Sequence, residues 1–202
     1  RAWINTTYSL QVVAHEMGHN FGLYHSHSNA CDTPATCATS EYGDDHDVMG
    51  NYTTGHFNAY QKERLGWLNA GTSPPIQTVT TFGPYTLEPY ETASGGLPKA
   101  LEIFKSASAG QNTYLYAEAR TATGFDSGME PGVLIHSGND TDGNQSFLQD
   151  VMPSGATTDV ILSPGQSVTF TGDVSPITFT TLSSGSTGAV VAVTGSAAPC
   201  TY

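Results

Sequence analysis

The chain has 202 residues, with 6 Lys and Arg against 18 Asp and Glu, and therefore a formal net charge of −12. Nucleic acids and anionic membrane surfaces are recognised by basic protein faces, so this acidic balance excludes both as expected partners. Charged residues make up only 12% of the chain, a composition typical of a secreted, β-rich protein. The apolar runs are far shorter than the ~20 residues of a membrane-spanning helix.

Two helices are predicted in the first 70 residues. One covers residues 7–23, because apolar side chains recur there at steps of three and four residues. These side chains are Leu10, Val13, Met17 and Phe21. The other covers residues 58–65, with Asn58 as its N-cap and Gln61 three residues later, as in a capping box.

Beyond residue 70 the sequence turns to short segments of strand character, separated by clusters of Gly, Pro, Asn and Ser. They cover residues 77–82, 100–104, 113–119, 133–136, 168–171, 177–182 and 189–193. Short strands with such turns favour a β-sandwich. We therefore expect an α+β protein, with a helical portion in residues 1–70 and a sandwich-like β domain in residues 71–202.

Residues 15–25, with the sequence HEMGHNFGLYH, carry the most specific signal in the chain. Residues four apart lie on one face of a helix, so His15 and His19 can direct their imidazoles to one point. Glu16 lies beside that point, and Gly22 allows the chain to turn back and bring in His25 as a third ligand. Three imidazoles with a fourth position left for water are typical of a catalytic zinc rather than a closed structural one.

This motif resembles the signature of the metzincin zinc proteases, in which a methionine turn follows beneath the metal. Residues 47–50, with the sequence DVMG, are the matching turn. Within that clan the chain looks most like the gametolysin-type peptidases, over residues 15–27, 42–44, 47–50, 56–59 and 65–67. The resemblance extends over residues 8–68 and is only loose in the β-rich remainder.

The resemblance implies a zinc endopeptidase that hydrolyses peptide bonds in protein or glycoprotein substrates. It implies His15, His19 and His25 as the zinc ligands. Glu16 is the implied general base, which takes a proton from a zinc-bound water. Met49 is implied to be the structural methionine beneath the ligands.

The family pattern also sets an expectation about chain organisation. A metzincin catalytic domain begins well before its zinc helix, whereas this chain starts at Arg1, without an initiator Met and close to that helix. We therefore expect residues 1–70 to be the zinc-helix and methionine-turn half of such a domain, in a processed product or fragment whose N-terminal half is absent. An upstream segment of the same precursor is then an expected partner, and an extracellular location is expected.

Tyr52 and the cysteines carry weaker expectations. Tyr52 is either a contact to the metal or oxyanion or an ordinary packing residue. Cys31 and Cys37 lie in one loop and can close a disulfide ring. Cys200 is then left over, which suggests an external partner or a free thiol.

An acidic segment near residue 140 admits two interpretations. Its alternating oxygen side chains, those of Asp140, Asp142 and Asn144, suit a hard cation such as calcium. The same residues, with Gly143 among them, equally suit a plain Asn/Asp/Gly turn. Calcium is therefore a candidate second cofactor beside zinc.

Two functions from different classes fit these observations. The first is a secreted zinc endopeptidase. The second is a β-sandwich binding or adhesion module for an extracellular glycoprotein or glycan, which carries an incomplete catalytic portion. The first is favoured because all three histidines and Glu16 are present, whereas a decaying site would be expected to lose one of them early.

Overall fold

Strands in two sheets and two α-helices make up the described part of the chain, in a computed structural model. Residues 4, 8–33, 36–50, 55–69, 75–152, 159–173 and 175–195 are described. The helices are α1 (Leu10–Asn20) and α2 (Ala59–Arg64). The strands are β1 (Ser26–Thr33), β2 (Thr36–Ser40), β3 (Ile76–Thr78), β4 (Gly83–Leu87), β5 (Ala100–Ser108), β6 (Gln111–Arg120), β7 (Gly132–Asn139), β8 (Ser146–Gln149), β9 (Ser167–Phe170), β10 (Ile177–Gly185) and β11 (Gly188–Gly195). Among these residues no helix is long and apolar enough to cross a bilayer.

Both predicted helices are present, and each begins at a capping side chain. The Ser9 hydroxyl accepts a hydrogen bond from Val12 N at 3.2 Å, and α1 therefore starts later than the predicted residue 7. Asn58 caps α2 as predicted, since its Oδ1 accepts from Gln61 N at 2.9 Å. Each cap satisfies one of the backbone N–H groups that have no partner within the first helical turn.

The strand pattern beyond residue 70 corresponds to β5, β6, β7, β9, β10 and β11. The predicted segment 77–82 is a strand only at its start, where β3 lies. β4 was not predicted, and it contains Pro84, which a sheet tolerates at an edge such as the one that β4 occupies. β1, with the sequence SHSNACDT, has little strand propensity, and its pairing with two neighbouring strands overrides that preference.

One sheet combines strands from both sides of residue 70. The seven-stranded sheet has the order β2-β1-β8-β7-β6-β5-β3, and the four-stranded sheet the order β4-β11-β10-β9. β1 runs parallel to β8, from the pair Ser26 and Ser146 to the pair Asn29 and Gln149. The division into residues 1–70 and 71–202 stays a prediction, but the main sheet extends across it.

The two sheets pack face to face around a continuous apolar core. Alternate residues of β6 point into this core, namely Leu115, Ala117 and Ala119. Alternate residues of β11 face them from the other sheet, namely Ala189, Val191 and Val193. This period of two is expected of strands that bury one face, and it explains why the sequence pattern was informative there.

The outer face of the seven-stranded sheet carries α2. Tyr116 of β6 faces the helix and packs with Ala59 and Tyr60 in a second apolar cluster. Tyr60 lies flat on Gly138 of β7, where a Cβ would overlap its ring. The described fold therefore has three layers, with the helix on one side of the large sheet and the small sheet on the other.

Adding a methyl group at Gly138 tests this packing. We expect Gly138→Ala to lower the free energy of unfolding by about 1–3 kcal/mol, because the Tyr60 ring must move away from β7. Gly185→Ala is the matched control, since a Cβ there meets no atom within 4 Å. Urea unfolding of both variants measures the difference, and equal stability of the two variants would contradict the assigned packing of α2.

Candidate metal centre

Three histidines converge at the C-terminal end of α1. His15 and His19 lie one turn apart, with ring centroids separated by 4.8 Å. Gly22 has a φ of +91°, which suits glycine, and the chain reverses there. His25 consequently returns to the same point, with its ring centroid 5.4 Å from that of His15 and 5.0 Å from that of His19. One ring nitrogen from each histidine lies within 4.8 Å of the other two.

Each of these rings is oriented by a hydrogen bond at Nδ1. The acceptors are Val48 O at 2.8 Å for His15, Leu23 O at 2.9 Å for His19 and Glu41 Oε1 at 2.9 Å for His25. Because these oxygens accept, each Nδ1 carries a hydrogen and each neutral ring presents a lone pair at Nε2. Burial lowers the pKa of His15 and so favours the neutral form, which is the one that binds metals. The donor set fits zinc, for which neutral imidazole is a preferred ligand.

Met49 lies against the helical turn that carries the histidines. Its side chain is fully buried, and a Cβ at Gly18 would overlap its sulfur. Glycine between His15 and His19 is therefore what allows the methionine to approach the helix so closely. Glu16 is half-buried on the same turn, and its charge acts on the His15 ring.

Two residues beside His25 were given no role by the sequence reasoning. Glu41 accepts the hydrogen bond from its Nδ1, and the Tyr42 ring centroid lies 4.0 Å from that of His25. Both residues follow β2, and the pairing of β2 with β1 returns them to the start of β1, next to His25. No spacing rule in the sequence predicts this return, because neither strand was predicted.

Of the predictions for the cysteines and Tyr52, the one for Cys31 and Cys37 lies within the described residues. The predicted disulfide between Cys31 and Cys37 is present and joins β1 to β2. Tyr52 and Cys200 lie outside the described residues, so their predicted roles stay predictions.

A buried carboxyl group, that of Asp47, holds the segment that contains Met49. Asp47 Oδ1 accepts from Met49 N and its Oδ2 accepts from Asn58 N, both at 2.6 Å. The side-chain amide of Gln61 also lies against this carboxyl, 2.9 Å from Oδ2. Burial, together with the nearby charge of Asp44, raises the pKa of Asp47 to about 8. An amide can turn either its nitrogen or its oxygen to this group, so Gln61 can match both protonation states.

A buried ion pair links the same segment to the large sheet. His136 Nε2 of β7 donates to Asp44 Oδ2 at 2.9 Å, and neither side chain is exposed. Burial disfavours both charges, but the mutual attraction outweighs burial, so the pKa of Asp44 is lowered and that of His136 is raised. Asp44 also accepts from Ser26 Oγ at 2.7 Å, which ties the start of β1 into the pair.

Arg120, at the end of β6, forms a second buried charge cluster beside the first. It donates to Glu118 Oε1 and Asp126 Oδ2, each at 2.7 Å, and to the carbonyl of His46 at 3.1 Å. The other oxygen of Glu118 accepts from Ala59 N at 2.8 Å, at the start of α2. Strands β6 and β7 thus contact both residues 44–49, which we call the methionine segment, and α2 through charged groups. Only one sequence feature points to this cluster, namely the presence of charged residues within a strand. Charged residues are rare in this chain as a whole.

The residues predicted to bind calcium lie in a hydrogen-bonded turn between β7 and β8. Asp140 accepts from Asn112 N at 3.0 Å and from Asn112 Nδ2 at 2.8 Å. Asp142 Oδ1 accepts from Asn144 N at 3.0 Å. The Asp142 contact is typical of an Asn/Asp turn, and the Asp140 contacts attach this turn to β6. Calcium binding at this position stays a prediction.

Residues 1–61 match a family model described as metallo-peptidase family M12. The match includes the three histidines, Glu16 and Met49, and covers 61 of the 202 residues. It supports a metallopeptidase. The finer resemblance to gametolysin-type peptidases is not confirmed by this match and stays a prediction. Searches of curated proteins and of solved structures found no match.

The pH dependence of stability tests the state of Asp47. With an ordinary value of 3.8 and a raised pKa of about 8, this acid contributes stability that is complete below pH 3.8 and lost as the pH rises through about 8. We therefore expect the stability of the wild type, measured relative to Asp47→Asn, to fall as the pH rises from 3.8 to about 8, by roughly 1 kcal/mol per pH unit. Urea unfolding of the chelated proteins at several pH values measures this difference.

The control for this experiment is Asp159→Asn, which removes an exposed carboxyl group. Its stability difference from the wild type should vary little over the same range. A difference for Asp47→Asn that is equally flat would contradict the raised pKa.

Proposed function

We propose that this chain is a zinc-dependent endopeptidase, or the metal-bearing portion of one, acting on protein or glycoprotein substrates. The observation that carries the proposal is the convergence of His15, His19 and His25, with each Nδ1 engaged by an acceptor. Three imidazole ligands leave one zinc position open, as catalytic zinc sites do. The match to metallo-peptidase family M12 supports the same conclusion.

The residues of the site have separate tasks in this proposal. Bound zinc would supply a Lewis acid that polarises the peptide carbonyl. Glu16, on the same helical turn as His15, accepts the proton of the attacking water and returns it to the departing amine. Met49 touches no reactant, and it supports the helical turn at Gly18 from which both histidines project.

The proposal includes an extracellular location. The disulfide between Cys31 and Cys37 is of the kind that persists in oxidising compartments. The resemblance to gametolysin-type peptidases suggests extracellular glycoproteins as the substrate class, and that suggestion rests on analogy alone.

Replacement of Glu16 by Gln tests the general base. We expect cleavage of an unfolded protein substrate by the zinc-loaded chain to fall by roughly 10²–10⁴-fold, because an amide cannot accept the proton. Zinc binding should be retained, since Glu16 is not a ligand in this proposal. Activity is measured by the appearance of new peptide N-termini, and zinc content by elemental analysis.

Glu130→Gln is the matched control, because it makes the same chemical change at an exposed position. A chelator should abolish wild-type cleavage and added zinc should restore it. A zinc-loaded wild type that cleaves nothing would contradict an endopeptidase complete in this chain, and a wild type that binds no zinc would contradict the proposal altogether. If it still bound an extracellular glycoprotein, and binding survived both chelation and Glu16→Gln, the adhesion-module alternative would be favoured.

Glu41 provides an independent test of the metal site. Its carboxylate orients the His25 ring at 2.9 Å, so we expect Glu41→Gln to weaken zinc binding by roughly 10–100-fold. Competition with a chromophoric chelator measures the affinity, and Glu130→Gln again serves as the control. Unchanged affinity in Glu41→Gln would show that the His25 ring needs no such support.

A further inference from the structure

A cavity with a volume of about 400 Å³ lies on the outer face of the seven-stranded sheet, beside α2. We name it the tyrosine cavity. Its walls include three tyrosines and three carboxylates, namely Tyr60, Tyr114, Tyr116, Glu63, Glu102 and Asp140. The three histidines of the metal centre do not line it, so it is a separate feature of the molecule.

Two of the tyrosine rings are held rigidly. Tyr60 Oη donates to the carbonyl of Asn139 at 2.8 Å, and Tyr116 Oη donates to Glu63 Oε2 at 2.7 Å. The two ring centroids lie 5.6 Å apart. Both side chains are buried, so they form a floor that is in place before any ligand arrives, and binding would need little reordering of side chains. Tyr114 is half-buried, and its ring is the one that a ligand can contact.

The charge of the cavity is negative. Glu102 lies opposite Tyr116 in the pairing of β5 with β6, on the same face as α2 and Glu63. Burial raises the pKa of both glutamates, and the charge of Glu102 raises the pKa of Glu63 further. Two partly desolvated carboxyl groups near each other are stabilised by a cation placed between them.

Each glutamate has an oxygen available for such a cation. Glu63 uses Oε2 to accept from Tyr116, and Glu102 uses Oε2 to accept from Thr78 Oγ1 at 3.1 Å. Within the described residues, neither Oε1 has a hydrogen-bond donor. The cationic residue in the wall, Arg64, is placed over the Tyr60 ring, 5.6 Å from its centroid.

We propose that the tyrosine cavity binds the side chain of a lysine or arginine presented by a polypeptide. The cationic head would lie between Glu63 and Glu102, and the aliphatic stem would pack on the half-buried ring of Tyr114, whose face also attracts cations. The formal net charge of −12 favours encounter with basic polypeptides. This proposal does not depend on zinc or on the peptidase function, and goes beyond both.

Peptide titration of the chelated chain tests the proposal without any catalysis. The probe is the peptide acetyl-Gly-Gly-Lys-Gly-Gly-amide, and its control is the same peptide with norleucine, which keeps the aliphatic stem but lacks the charge. Binding is followed by the amide NMR signals of residues 114–116 and 63. We expect the lysine peptide to shift these signals in a saturable, salt-sensitive manner and the norleucine peptide to leave them unchanged.

Variants of the cavity then separate charge from shape. Glu63→Gln and Glu102→Gln should each weaken lysine-peptide binding roughly tenfold, whereas the exposed Glu130→Gln should not. Unchanged spectra away from the cavity establish that the variants fold. Equal binding of both peptides, no binding of either, or binding of a neutral sugar without the lysine peptide would each overturn the proposal.

Discussion

The carboxyl group of Asp47 is the contact on which the candidate metal centre depends. It accepts backbone hydrogen bonds from Met49 and Asn58, so one side chain fixes both the methionine segment and the start of α2. A buried N–H without a partner costs about 1–3 kcal/mol, and the loss of Asp47 would leave two of them. The position of Met49 in turn supports α1 at Gly18, and Val48 beside it accepts from His15. Residues 47–49 therefore connect the buried carboxyl group of Asp47 directly to the imidazole of His15, a candidate metal ligand.

The large sheet extends this support to the β-rich part of the chain. His136 of β7 pairs with Asp44, and Arg120 of β6 contacts the carbonyl of His46. Two strands of the large sheet therefore hold the methionine segment in place. Buried ion pairs contribute little net stability, because desolvation offsets most of their attraction. Their geometry is directional, however, and here it sets the position of residues 44–49 relative to the sheet. The β-rich part thus supports the candidate metal centre, whatever further role it has.

The sequence predicted local features well and long-range ones poorly. The histidines at positions 15 and 19, the Asn58 cap and the alternating strands were predicted because each depends on a period or a spacing within a few residues. His136 and Asp44 are 92 residues apart, and no local pattern relates them. β1 was missed for a related reason, since polar residues such as Ser26 and Ser28 enter the sheet only through pairing with β2 and β8. The burial of Asp44, Asp47 and Glu118 could not be predicted, because buried and exposed carboxylates look alike in a sequence.

Helix α1 differs from the rest of the fold in how it is held. Gly18 is its one buried residue, while Leu10 and Met17 of the helix and Phe21 directly after it are 59%, 47% and 49% exposed. A helix of 11 residues is marginal by itself, and much of the apolar surface of this one is exposed, although Ala14 packs against the cluster that contains Met49. Its attachment relies instead on the contact with Met49 and on the hydrogen bonds from its two imidazoles. A metal bound by those imidazoles and by His25 would cross-link the helix to the segment that follows it, so metal binding and the stability of α1 are expected to be coupled.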